Sequence, residues 1–403
     1  MNDASHIAFF CIPAHGHVNP TLGTVAELVA RGHRVSYAVT EEYAAAVEKA
    51  GANPITYSTT MGRFRETMLS FTDSSRFSSE EYARMLRGLL TETVTILPEL
   101  AAALDGDRPD LVVHDPSCWT GPLLAARWRI PCVRGQPTLA ENEHWSLRSG
   151  YAEFDTGHPR LKEALLGLTR LLDRLRVDLA PQDLLMGGAT PTLAYFPREF
   201  QFAGDTFGPD VHFVGPCLDH RGLPRPWSPP DPGRPVLAVS LGTVYHSQAE
   251  FFRSCVEAFG DLPYNVVMAV GDNLSPDDLG PVPDHVLALP FIPDLLSVLR
   301  SADVFVNHAS MASSMESLSL GVPVVAIPQM AEHKANADRI EELGMGRRVA
   351  CDDATAPSLR QAVETVVGDP DYRQRAAGMA QHIRNAGGAT AAADAVEKLL
   401  RRP

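Results

Sequence analysis

The feature that most constrains the fold is a repeated pairing of a short apolar run with a stretch of helical periodicity. "IAFFCI" (7–12) leads into Leu22, Val25, Ala26 and Val29, spaced i, i+3, i+4, i+7, and Gly32 stops the pattern. "RVSYAV" (34–39) precedes "EEYAAAVEKAG", and "LVVHD" (111–115) and "PCVRG" (131–135) flank another helical stretch. Runs that are apolar at every position read as strands buried on both faces. That is the pattern of a parallel sheet with helices on both sides. Asn19 and Pro20 read as the cap and first residue of the first helix.

The pattern weakens between about 140 and 200. There "ENEHWSLRSGYAEF" and an amphipathic stretch over 160–186 read as an insertion around a pocket. "FVGPCLDHRGLPRPWSPPDPGRP" (213–235) is a Pro-rich break. After it the alternation restarts, with strands expected at 236–243, 265–271, 285–291, 303–310 and 322–329. A chain of 403 residues is too long for one core. The expected architecture is α/β, with two doubly wound Rossmann-like domains and a cleft between them. The boundaries expected are 1–215, a linker over 216–235, a second domain over 236–385, and a C-terminal helix over 386–403 that packs back across to the first domain. Ligands of such sheets bind beyond the carboxyl ends of the strands, so chemistry is sought in the loops there.

Composition removes several function classes. With 45% hydrophobic and 21% charged residues the chain is globular, and a net charge of -14 disfavours nucleic-acid or anionic-membrane partners. A local phosphate site made of backbone N–H groups remains compatible with that charge. The six cysteines (11, 118, 132, 217, 255 and 351) show no CxxC or metal-ligand spacing and read as free thiols of a cytoplasmic protein. No apolar run reaches the roughly 18 residues of a membrane span. The first apolar run has no basic segment before it, so it reads as a strand and not a signal peptide. No GxGxxG follows a strand and no GxxxxGK[ST] is present, which disfavours dehydrogenases and P-loop enzymes. The two DxD patterns, Asp105-Gly-Asp107 and Asp369-Pro-Asp371, fall in loops at the opposite edge, and no metal site is expected.

Four groups remain at the carboxyl edges. His15 follows the first strand, just before a helix N-terminus that keeps an imidazole neutral and able to act as a general base; His17 is the lesser candidate. The other use of a His in such a turn is a bond to local backbone. Asp115 ends another strand and could orient such a His, or cap the helix that follows; His114 should face the other way. In "NHASMASSMESLSLGVP" (307–323) a strand ends at His308 and a helix is expected near Ser313, whose free N–H groups suit a phosphate. Ser313 and Glu316 also fit a capping box, and Gly321 and Pro323 end the helix. Glu332 and His333 start a later helix, where they could grip sugar hydroxyls or simply face solvent.

Taken in order, "HIAFFCIPAHGHVNPTLGTVAELVARGHRVSYAV", "PDLVVHD", "FVGP", "VLAVSLGT", "FIPDLLSVLRSADVFVNHA", "ESLSLGVPVVAIPQMAEHKANADRI" and "LGMGRRV" resemble the UDP-glycosyltransferases of GT-B fold over nearly the whole chain. Within that family the resemblance is to the actinomycete macrolide and natural-product enzymes. It implies a general base at His15 and an orienting carboxylate at Asp115. It places Phe291 where the family usually has a Trp against the uracil ring, and Asp294 where it has a Gln near base and ribose. His308 takes the diphosphate position, and Ser314 with the Ser313 amide takes the phosphate-binding helix start. Glu316 falls at the ribose-binding acid, Glu332 and His333 at the pair that holds the donor sugar, and Gly242 and Thr243 in the loop over the nucleotide.

The implied activity is inverting, metal-independent transfer of a sugar from a nucleoside diphosphate to a hydroxyl of an apolar natural product such as a macrolide or polyketide. UDP-hexose is favoured over a TDP-sugar, and no cofactor beyond the nucleotide sugar is implied. The expected protein is a cytoplasmic monomer or homodimer. The alternatives are a TDP-deoxysugar-dependent antibiotic-biosynthesis enzyme and a non-catalytic glycosyltransferase-like helper. The helper reading draws on Ser310 and Ala312, which replace glycines of the usual "HAGxGS".

Overall fold

The computed structural model describes residues 4–62, 77–153, 155–188, 190–218, 227–242, 248–292 and 294–401. The chain divides into two compact units, Met1–Asp219 with Ala386–Pro403, and His220–Asn385.

The first unit is built on a parallel sheet of seven strands. They are β1 (His6–Phe10), β2 (Arg34–Val39), β3 (Asn53–Thr56), β5 (Leu111–His114), β6 (Cys132–Gln136), β8 (Thr192–Ala194) and β9 (Val211–Phe213), in the order β3-β2-β1-β5-β6-β8-β9. Two further two-residue strands, β4 (Phe77–Ser78) and β7 (Ala152–Glu153), pair separately. The all-apolar β1 run feeds both faces. Ile7 and Phe9 enter one core with the helices α1 (His15–Ala30) and α2 (Glu41–Lys49). Ala8 and Phe10 enter the other with α3 (Ser79–Asp105), α4 (Thr120–Trp128) and α5 (Pro159–Leu175). Period-two alternation thus divides one strand between two helix layers.

The second unit repeats the plan with six parallel strands: β10 (Val236–Ser240), β11 (Asn265–Ala269), β12 (Val286–Leu289), β13 (Val304–Asn307), β14 (Val324–Ala326) and β15 (Gly346–Arg348), in the order β12-β11-β10-β13-β14-β15. Its helices include α6 (Ala249–Phe259), α7 (Met311–Ser319), α8 (Ala331–Glu342), α9 (Ala356–Gly368) and α10 (Pro370–Ala386). Shorter helical turns, among them Leu295–Leu299, make other connections. The last helix, α11 (Gly388–Leu400), lies on α1 of the first unit. Ala392, Ala393 and Val396 share a core with Val18, Val25 and Leu28, and Arg31 Nη1 donates to Asp394 Oδ1 at 2.6 Å.

Both sheets reverse their strand order once next to their first strand, at β1/β5 and at β10/β13. In register, Phe10 lies beside His114 and Ser240 beside Asn307. The residues just past these pairs therefore emerge at the two topological switch points, where doubly wound sheets place ligands.

The helix that follows β1 differs from expectation. It starts at His15 and not at Pro20, because the Ala14 carbonyl accepts from the amides of both His17 and Val18 at 2.9 Å. Pro20 sits inside α1. Strands β3, β8, β9 and β15 carry no alternation or run that the sequence alone marked.

Candidate active site

At the β1/β5 switch point the first residues of α1 stand beside the end of β5. The expected pairing of His15 with Asp115 is not what forms. His17 Nδ1 lies 2.6 Å from Asp115 Oδ2, while His15 Nε2 lies 3.8 Å from Glu42 Oε1 and its ring packs edge-on to Tyr43 at 5.0 Å. The cause is the early helix start. Residues two apart on a helix of 3.6 residues per turn project in nearly opposite directions, so only one of the two imidazoles can face β5. Asp115 is buried, and its other oxygen accepts from the Ser117 amide at 2.7 Å. A carboxylate bonded to Nδ1 keeps the proton there and leaves Nε2 as the basic nitrogen. His114 points the other way, as alternation requires, and burial holds its pKa down at about 4.

In the loop after β3, Tyr57 and Met61 are buried, and the Tyr57 hydroxyl donates to the Cys11 carbonyl just past the end of β1 at 3.4 Å. Glu92 of α3 holds their loop, accepting from Thr59 Oγ1 at 2.7 Å and from the Thr60 amide at 2.6 Å. Trp145 stacks on Phe202 with 5.2 Å between ring centroids. From sequence, the Met and Phe residues of "MGRFRETMLSF" (61–71) also read as part of the wall of an apolar acceptor pocket; those from 63 onward lie outside the described residues.

At the β10/β13 switch point, Ser240 and Gly242 stand beside His308. Gly242 has φ +75, and a Cβ there would meet the His308 ring at 2.6 Å, so glycine is required twice over. His308 is buried, which lowers its pKa to about 4, and its ring meets that of buried His333 edge-on at 4.7 Å. Burial, and then the neighbouring His308, hold His333 well below the ordinary imidazole range. Both rings are therefore neutral near pH 7 and present N–H groups without charge.

The next residue, Ala309, carries φ +59, the left-handed region that side chains avoid. Two buried amides hold it there. Asn307 Oδ1 accepts from its N–H at 2.7 Å, and Asn336 Nδ2 donates to its carbonyl at 2.9 Å. Ser310 then caps α7, accepting from the Ser313 amide at 3.4 Å.

This moves the helix start expected near Ser313 back to Met311 and overturns the Ser313–Glu316 capping box: Ser313 is the third helical residue, and Ser310 is the cap. The amide of Ser314 closes the first helical bond, to the Ser310 carbonyl at 3.0 Å. Its hydroxyl is buried with no partner among the described residues, as are Asn307 Nδ2 and Asn336 Oδ1. Burial pushes the Glu316 carboxyl up to about 7. On α8, Glu332 Oε1 accepts from Asn336 Nδ2 at 3.0 Å.

Two other expected residues stand nearby in sequence. Phe291 exposes 62% of its surface, an open aromatic face. Asp294 caps the short helix Leu295–Leu299 through Oδ1, while Oδ2 is buried without a partner among the described residues. Thr243 lies outside the described residues.

Residues 253–399 match the family described as erythromycin biosynthesis protein CIII-like, C-terminal domain. The demethyllactenocin mycarosyltransferase of Streptomyces fradiae is 43% identical, over 98% of this chain and 87% of its own. This chain belongs to the natural-product glycosyltransferases. The oleandomycin glycosyltransferase of Streptomyces antibioticus is 35% identical, over 98% of this chain and 91% of its own. Among solved structures, the calicheamicin glycosyltransferase CalG4 superposes with a TM-score of 0.85 at 35% identity, covering 99% of each chain. The GT-B fold follows, in keeping with the two parallel sheets.

For this glycosyltransferase, Asn307 and Asn336 are the residues that sequence reading missed. The one local signal was Asn336 at i+4 from Glu332; the role of Asn307 shows only once Ala309 is seen to be left-handed. Among the described residues no helix is long and apolar enough to cross a membrane, and no group of three or more His, Cys, Asp or Glu side chains is gathered for a metal.

Proposed function

We propose that the glycosyltransferase transfers a hexosyl group, with inversion, from a nucleoside diphosphate to a hydroxyl of an apolar natural product. The observation that carries this reading is the His17–Asp115 pair at the first switch point. Nε2 of His17 takes the acceptor's hydroxyl proton while Asp115 stabilises the imidazolium that results. The freed oxygen bonds to the anomeric carbon as the bond from that carbon to the diphosphate oxygen breaks. The diphosphate leaves with the electron pair, from the face opposite the attack.

The second unit supplies donors for the departing charge. The first-turn amides of α7 and the neutral His308 ring suit an anion without a metal ion. Buried polar atoms without partners, Ser314 Oγ among them, support a polar ligand at this loop. Glu316 would hold the ribose hydroxyls, Glu332 and His333 the sugar, and the open face of Phe291 the base. The acceptor would lie against the first unit, near Tyr57, Met61 and Trp145.

UDP-hexose is the favoured donor. A second reading is a sugar carried on TDP: a relative named for mycarosyl transfer favours a donor other than UDP-glucose. Thermal melting with UDP, TDP and GDP separates them. A ligand at about 100 times its dissociation constant stabilises by about 2.7 kcal/mol. A shift with UDP alone supports the first reading, and a shift with TDP alone the second. No shift with any of the three overturns both and supports a non-catalytic helper.

A further inference from the structure

We infer that Asn336 is a positioning residue that ties the phosphate-binding half of the donor site to its sugar-binding half. The inference rests on the donor-site reading above. Its basis is one carboxamide with two acceptors. Asn336 Nδ2 donates to the Ala309 carbonyl at 2.9 Å and to Glu332 Oε1 at 3.0 Å, and the residue is fully buried. Because both neighbours only accept, the amide can lie only with its nitrogen toward them.

The first bond acts on the backbone. Ala309 is left-handed at φ +59, an unfavourable state for a residue with a Cβ. It sits between His308 and the Ser310 cap, so its conformation sets where the imidazole ends and where the first amides of α7 point. Asn307 holds the amide side of this turn and Asn336 the carbonyl side. The second bond acts on a side chain. Glu332 stands one helical turn before Asn336 on α8, and the shared Nδ2 fixes where its carboxylate lies. A single group thus sets both the diphosphate cradle and the acid proposed for the sugar hydroxyls.

The test is calorimetric binding of UDP, TDP and their glucose derivatives to the full chain, in a double-mutant design. Asn336→Ala should weaken binding of the preferred diphosphate about tenfold or more. Ala309→Gly removes the cost of the left-handed turn. In that background, adding N336A should cost the diphosphate less than about threefold, while the loss for the sugar nucleotide persists through Glu332. Asn336→Asp is isosteric and cannot donate to either partner; it replaces N336A if that variant does not fold, and should lose at least as much. Equal binding by wild type and both Asn336 variants overturns the inference. So does a diphosphate penalty of the same size in both backgrounds, because Asn336 then does not act through the turn. Absence of binding by the wild type overturns the donor-site reading itself, and the inference falls with it.

Discussion

His17 Nδ1 sits 2.6 Å from the buried Asp115 carboxylate, whereas His15, two residues earlier, faces Glu42 and Tyr43. The two histidines of one short motif therefore have separable consequences. Replacing His17 by Ala should lower kcat/KM by about 10²–10⁴, the usual contribution of a positioned general base. His15→Ala should stay within a few-fold of wild type. Asp115→Asn should approach the His17 loss, because an amide can hold the wrong tautomer. Initial rates on any accepted hydroxyl substrate decide it. A larger loss from His15 than from His17 would return the base to the first histidine.

How far the sequence reached can be argued from that same motif. The β1 run, the helix after it and the carboxyl-edge position were legible because hydrophobic period reports strands and helices directly. The choice between His15 and His17 was not. It depends on whether α1 begins at residue 15 or 20, and Asn19-Pro20 offers a good local start that the Ala14 carbonyl pre-empts. The helix start at Ser310 was misplaced for a similar reason: three serines compete as caps, and the left-handed Ala309 decides among them. That conformation depends on Asn336, 27 residues away, through a tertiary bond that no local pattern carries. The strands of 190–213 were missed because β8 and β9 span only three residues each, too few to show a period.

Gly242 and His308 share a space too small for a methyl group. Gly242→Ala places a Cβ against the ring and adds strain at φ +75. The ring must shift, so binding of the preferred nucleoside diphosphate should fall at least about tenfold. Calorimetry, with a melting curve to confirm folding, checks this. Unchanged affinity would remove His308 from the diphosphate site.

Glu316 contributes a pH-dependent cost to stability. Its folded pKa of about 7 exceeds the unfolded value because burial disfavours the charge. The folded state therefore holds a proton that the unfolded state releases, and stability drops as pH rises from about 4.5 to 7. Glu316→Gln does not titrate. The difference in Tm between E316Q and wild type should grow in favour of the variant across that window and level off above it. The same variant should bind nucleoside diphosphate more weakly, if the carboxylate holds the ribose. A Tm difference that is flat with pH would rule out the raised pKa.

The buried imidazoles work in the opposite direction. Burial lowers His6, His114, His308 and His333, the middle two to about 4. Each binds a proton more readily in the unfolded chain. Their stabilising effect is therefore complete above about pH 6.5 and is lost as pH falls toward 4. Denaturant unfolding at several pH values should show net proton uptake on unfolding in this range, despite the opposing Glu316. His114→Gln should flatten the slope without touching the loop around His308. No change in slope would mean that His114 binds a proton as readily in the folded protein as in the unfolded chain.

Ser310 offers the most direct test of the altered loop. Its hydroxyl accepts from the Ser313 amide at 3.4 Å and lies 2.9 Å from the Ser313 hydroxyl, so it partly caps the helix proposed to bind phosphate. With φ −62 the position does not require the glycine usual in the family. Ser310→Gly removes the cap at a cost of only a few tenths of a kcal/mol, since glycine is itself tolerated there. It also releases a first-turn amide to the ligand. Affinity for the preferred nucleoside diphosphate should rise several-fold while Tm barely moves. A fall in affinity would show instead that the Ser310 hydroxyl turns to donate to the phosphate, which would make this serine a working part of the site.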